Sequence, residues 1–143
     1  LLPYRTIDIT ERRQAEEALQ VNKWRLSSIL QELPASVLIA AKDGRLVFGN
    51  RRVEQLFGTY PRSQSIEDYH DWKAFTTDGE PYQPEQVPMA RALQSGEVVI
   101  GEEMRFRRSD GSWLLCRVNA APIRDEQGQI VEAVLIFDEV NKP

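Results

Sequence analysis

Apolar and charged residues alternate through Met104-Arg105-Phe106-Arg107-Arg108, the period-2 pattern of a strand buried on one face. Ser109-Asp110-Gly111-Ser112 follows, and Asp-Gly between alternating runs predicts a hairpin turn. Trp113 to Ile123 reads as a long second strand, with Cys116, Val118 and Ala120 on one face. The polar turn Asp125-Glu126-Gln127-Gly128 leads into a third strand, Ile130 to Phe137. Earlier in the chain, Val37 to Ala41 and Leu46 to Gly49 form a shorter pair about Lys42-Asp43-Gly44-Arg45. Asn50 is placed to cap a short helix, Arg51 to Phe57, which Gly58 closes. By alternation Leu38, Ala40, Met104, Phe106, Cys116, Val118, Ala120, Leu135 and Phe137 share one apolar sheet face. Leu56, Phe57, Met89 and Leu93 are available to roof that face. It encloses either a filled core or a pocket for a small apolar ligand, and alternation identifies the face without choosing between them.

The period changes near the N-terminus. From Glu11 to Leu33 there is no glycine or proline, and Ala, Glu, Gln, Leu and Arg dominate, which predicts one long helix. Leu19, Leu26 and Leu33 fall seven apart, and Ala15, Asn22 and Ile29 precede them by four. This is a heptad seam with one polar member, Asn22, of the kind that sets register and partner number. The seam suits a homodimer; the competing reading is a stripe that covers the domain's own sheet. Asp8-Ile9-Thr10-Glu11 resembles a capping box at the start of this helix, and Pro34 ends it by excluding its predecessor from the α region. Thr59 to Pro84 reads as turns and short helices carrying Tyr69, Trp72, Phe75 and Tyr82. Gln86 to Gln94 reads as a helix whose Arg91 faces solvent or bonds a loop.

With 143 residues, a single domain with an appendage is expected. A net charge of −4 with scattered basic residues argues against a nucleic-acid surface. No apolar run approaches the ~20 residues of a membrane span, so no direct membrane contact and a cytoplasmic location are expected, with an anchor elsewhere in a longer parent left open. The single cysteine excludes an internal disulfide. With one His and one Cys, no thiol or imidazole metal cluster can form. A Cys116–His70 nucleophilic pair lacks an orienting third group, and Cys116 falls on the inward face of a strand. Adjacent carboxylates such as Glu16-Glu17 and Glu102-Glu103 diverge into solvent, and the Asp-Gly pairs are turns rather than phosphate cradles. No residue set argues for an enzyme.

The two ends echo each other: Thr6-Ile7-Asp8-Ile9-Thr10 and Ile136-Phe137-Asp138-Glu139-Val140-Asn141 both run from apolar residues through an acid to a small polar cap. Asp8-Ile9-Thr10-Glu11-Arg12-Arg13-Gln14-Ala15-Glu16-Glu17-Ala18-Leu19 resembles the linker between consecutive PAS sensor modules of bacterial signalling proteins. Ala41 to Asn50 is similar to that family's first hairpin and capping Asn, and Arg108 to Trp113 and Ala121 to Gly128 resemble its sheet turns. The resemblance implies an α+β fold: a five-stranded antiparallel sheet, order 2-1-5-4-3, with short helices on one face and a long N-terminal amphipathic helix. It divides the chain into the tail of a preceding module (1–10), the helix (11–33), the PAS domain (34–141) and the start of a following linker (142–143). It further implies a sensory, non-catalytic module beside other signalling domains, such as a histidine kinase of a two-component system or a diguanylate cyclase. A ligand-free dimerisation spacer is the alternative. Flavin-binding members carry a reactive cysteine on a central helix and haem-binding members an axial His before the third strand. Thr59 to Trp72 lacks that cysteine and Pro84 to Gln94 lacks that His, leaving His70 as an irregular haem ligand, so no cofactor is expected.

Overall fold

The alternating stretches form one antiparallel sheet of six strands, ordered β2-β1-β6-β5-β4-β3. In this computed structural model residues 2–140 are described, with side chains from Thr10 onward. The elements are α1 (Leu2–Glu32), β1 (Ser36–Ala41), β2 (Leu46–Gly49), α2 (Arg51–Phe57), a 3-10 helix (Glu67–Trp72) and β3 (Ala74–Phe75). A second 3-10 turn (Pro84–Gln86) leads to α3 (Pro88–Ser95), β4 (Val99–Arg107), β5 (Trp113–Arg124) and β6 (Ile130–Glu139). The chain divides into two units, residues 1–33 and 34–143.

In the first unit α1 begins at Leu2, so the helix does not start at Glu11 and Asp8 is no N-cap. Pro3 lies in the first turn, where a missing N–H costs nothing, and no glycine follows to interrupt the helix. Residues 2–10 are helical and continuous with the rest of α1. Ala15, Leu19, Asn22, Leu26 and Ile29 are all exposed, with Leu26 at 59%. Leu33, the last seam position, lies just past the helix end. Asn141 and the linker at 142–143 lie outside the described residues.

The second unit is built on the three long strands. β5 pairs with β4 and β6 along most of its length, placing Met104 opposite Cys116 and Val118 opposite Phe137. β1 joins the other side of β6, with Leu38 opposite Leu135 and Ala40 opposite Ala133. These inward residues are buried, and Val53 and Leu56 of α2 with Met89, Ala90, Ala92 and Leu93 of α3 cover them. The expected five strands in order 2-1-5-4-3 become six because Ala74–Phe75 adds a two-residue strand to the β4 edge, opposite Phe106 and Arg105. A strand that short has no period to read. β4 also starts earlier than alternation suggests. Its register shifts between Val99 and Glu102, where Gly101 takes φ 71° and donates its N–H to Asn119 Oδ1 at 2.9 Å. This bulge breaks the period-2 pattern.

The first hairpin closes as its sequence predicts, but its glycine is fixed twice over. Gly44 has φ 95°, and a Cβ there would come within 2.5 Å of the Ile66 backbone nitrogen. The close approach lets Tyr69 donate its hydroxyl to Gly44 O at 2.7 Å from a buried position. Asn50 stands at the N-cap position of α2, yet its side chain makes no cap bond. Instead Oδ1 accepts the Val37 N–H at 3.0 Å and Nδ2 donates to Ala35 O at 2.9 Å, both across the entrance to β1. The Asn50 backbone carbonyl serves the helix, accepting from Val53 N–H at 3.1 Å. Because Asn50 is fully buried, Asn50→Ala strands a donor and an acceptor away from water. The expected loss is about 1–3 kcal/mol of unfolding free energy, read as a lower urea midpoint at unchanged m-value.

Candidate functional site

The inner sheet face is filled at one end and open at the other. α3 packs against β5 and β6, and its Met89 and Leu93 are fully buried. Ala40, Leu56, Met104, Cys116, Val118 and Ala120 belong to the same solid core. These expected pocket residues therefore do not line the cavity; they are packed out of it. Leu38, Phe57, Phe106, Leu135 and Phe137 do line a cavity of about 530 Å³ at the α2 end.

Helix α2 is only seven residues long and stops at Gly58, whose φ of 84° turns the chain away while its N–H bonds Glu54 O at 2.7 Å. Phe57, the last helical residue, is left to face Phe106 edge-on at 5.4 Å between centroids, and Phe137 at 5.7 Å. Phe106 and Phe137 stand 6.3 Å apart, so the three rings form one aromatic corner. Trp72 supplies another wall, stacked on Tyr69 at 4.2 Å with its Nε1–H donated to Ser63 Oγ at 2.9 Å. Trp72 was legible only as an aromatic needing cover.

The mouth is polar. Thr59, Pro61, Asp71, Lys73, Arg107, Arg108, Ser109 and Gly111 complete the lining. Arg108 donates Nε–H to Leu56 O at 2.9 Å, closing the end of α2 onto the β4–β5 turn. It continues the inward series Met104, Phe106, and extending that alternation by one step would have found it. Lys73 carries no such signal. It ends the 3-10 helix in a left-handed conformation, φ 52°, the one non-glycine residue with positive φ among those described.

The remaining polar groups hold the frame. Asp110 accepts from Ser112 N–H at 2.9 Å and Ser112 Oγ–H at 2.6 Å, which keeps its carboxyl below the usual range. Arg91 bonds Glu102 at 2.5 Å and Glu97 at 3.1 Å, resolving the choice between solvent and loop in favour of a tie from α3 to β4. Tyr82 donates its hydroxyl to Glu102 at 2.7 Å, and burial followed by that bond raises its pKa.

Cys116 lies outside the lining, and burial, with the Glu139 and Asp138 charges behind it, pushes its thiol up to about 12. No histidine lines the cavity among the described residues, and His70 is exposed on the 3-10 helix. Among the described residues no cluster of His, Cys, Asp or Glu is arranged to hold a metal ion, and no helix is long and apolar enough to cross a membrane.

A family model described as PAS domain matches residues 34–142. The chain belongs to the PAS domain family. No curated protein sequence matches it. Among solved structures it is similar to the PAS domain of an HTR-like protein from Haloarcula marismortui: 19% identity, TM-score 0.62, covering 90% of this chain and 99% of that one. It is also similar to the PAS domain of nitrogen regulation protein NR(II) from Vibrio parahaemolyticus: 19% identity, TM-score 0.56, 80% and 96% covered. A third likeness is to the LOV domain of the blue-light activated histidine kinase EL346 from Erythrobacter litoralis: 25% identity, TM-score 0.57, 78% and 100% covered. PAS domains are in general sensory and non-catalytic, and this membership is consistent with a signalling sensor.

The buried thiol gives a chemical test of which end is filled. Cys116 is expected to react with a disulfide reagent at pH 8 at least about a hundredfold more slowly in the native protein than in urea, followed by absorbance of the released thiolate. Its contribution to stability is complete below the unfolded value of 9.0 and is lost as pH rises towards about 12.

Proposed function

We propose that this PAS domain is the ligand-sensing, non-catalytic module of a signal-transduction protein, and that α1 joins two copies. The carrying observation is the cavity of about 530 Å³ whose walls are aromatic and aliphatic, a volume within the ~300–1,000 Å³ of small-molecule sites. The route outward is short. Leu135 and Phe137 wall the cavity, and the next residue of β6, Asp138, is paired with Arg52 of α2 at 3.3 Å. A molecule that shifts Phe57 or Phe137 thus acts on the helix lid and on the last strand together. It biases signalling only in so far as it binds two arrangements unequally.

The exposed heptad positions Leu19, Leu26 and Ile29 support dimerisation, and a spacer that dimerises and binds nothing is the second reading. Ligand binding separates the two. 2-Naphthamide, a neutral probe that suits an aromatic-walled cavity, is expected to bind with one molecule per chain in isothermal titration calorimetry. Leu135→Trp, which fills the space, is expected to weaken it by about tenfold or more while cooperative unfolding is retained. No binding of this probe favours the spacer. Independently, Leu26→Asp is expected to lower the mass measured by light scattering from dimer to monomer, because charge in the seam is desolvated on association. An unchanged mass removes α1 as the dimer contact.

A further inference from the structure

The cavity's walls and its mouth differ in kind. The walls present Leu38, Phe57, Trp72, Phe106, Leu135 and Phe137, whereas the mouth carries three cations, Lys73, Arg107 and Arg108, against one carboxylate, Asp71. The cations are not equivalent. The Arg107 guanidinium lies 4.7 Å from the centroid of Trp113, which also receives Arg105 at 4.8 Å. Arg108 commits Nε to Leu56 O at 2.9 Å and Nη1 to Ser112 Oγ at 3.4 Å, and its charge also acts on the nearby Asp110 carboxylate. The Lys73 ammonium has neither hydrogen bond nor carboxylate partner among the described residues.

Lys73 also holds an unfavourable backbone. A left-handed non-glycine residue costs about 1 kcal/mol or more, and glycine or asparagine would sit there more easily. An unpaired lysine in a strained position, at the opening of an apolar cavity, favours a task for its charge.

We propose that the cavity takes an amphiphilic organic anion, its apolar body among Phe57, Phe106 and Phe137 and a single anionic head at the mouth, met by Lys73 and Arg108. This rests on the reading of the cavity as a ligand site. A neutral ligand leaves the mouth's excess positive charge unused, a cationic one is repelled by it, and Asp71 disfavours a second negative charge on the head. The three rings favour a flat, rigid body, which stacks and loses little rotational freedom.

Three ligands with one ring system and different heads test this: 2-naphthoate, neutral 2-naphthamide and 2-naphthylmethylammonium, titrated calorimetrically into the whole chain. Naphthoate is expected to bind about fivefold tighter than naphthamide at low salt, since one exposed opposite-charge contact contributes up to about that factor. The ammonium is expected to bind weakest, and the preference for the anion to shrink at high salt. Lys73→Asn removes the charge with a residue that tolerates the left-handed backbone, and is expected to collapse the naphthoate-to-naphthamide ratio towards one. Asp71→Asn is expected to widen it. Equal affinity for naphthoate and naphthamide overturns the anion proposal and leaves the ligand site standing. A preference that survives both Lys73→Asn and Arg108→Gln overturns the assignment to these residues. Failure of all three probes, naphthamide included, overturns the ligand-site reading itself and the proposal with it.

Discussion

Two short helices must cover strands far longer than themselves. α2 and α3 contain seven and eight residues, which at 1.5 Å per residue gives rods of about 10–12 Å. The strands beneath, of 9, 12 and 10 residues, extend for about 30–40 Å. α3 is spent on β5 and β6, where its buried Met89, Ala90, Ala92 and Leu93 belong to a solid core. α2 ends at Gly58. What lies beyond is closed by a loop and by the edges of Phe57 and Trp72 rather than by a helix, and a cavity remains. The space under the sheet follows from element length, not from a lack of apolar residues.

The two lids are tied down differently. α3 reaches β4 through Arg91, Glu102 and the Tyr82 hydroxyl, a partly buried set in which Arg91 and Glu102 each have two partners. α2 is held by the Arg52–Asp138 contact, roughly 40% exposed on both sides, and by Arg108 at the Leu56 carbonyl. Exposed pairs of the first kind contribute little, ~0–1 kcal/mol. α3 thus carries the more extensive polar tie, whereas α2 is held mainly by burial of Val53 and Leu56.

Much of this fold was legible because burial imposes simple periods. The long strands, their Asp-Gly turns and the inward set from Leu38 to Phe137 follow from alternation alone. The termini of elements were less so. Asp8 has the composition of a cap, but nothing in residues 2–10 stops a helix, and the helix runs on. Asn50 reads as a helix cap, yet its side chain bonds Val37 and Ala35, because a buried amide is satisfied by whichever backbone groups come near it. The site itself was half visible. Alternation lists every side chain on a face and cannot say where a lid runs out, so Met89 and Leu93 were grouped with Phe106 and Phe137. Lys73 left no trace in the sequence, since its significance lies in a backbone angle and a missing partner.

The bulge at Gly101 has a bearing on solubility. Among the described residues β3 shields only Arg105 and Phe106, so the outer edge of β4 from Val99 to Met104 offers main-chain groups to any passing strand. Ile100, 83% exposed, would make that edge adhesive. The extra residue breaks the regular register that strand addition needs. Edge strands that keep an irregular backbone resist runaway sheet-to-sheet growth. The same kink that hid the start of β4 from a period-2 reading thus acts as a guard against fibril formation.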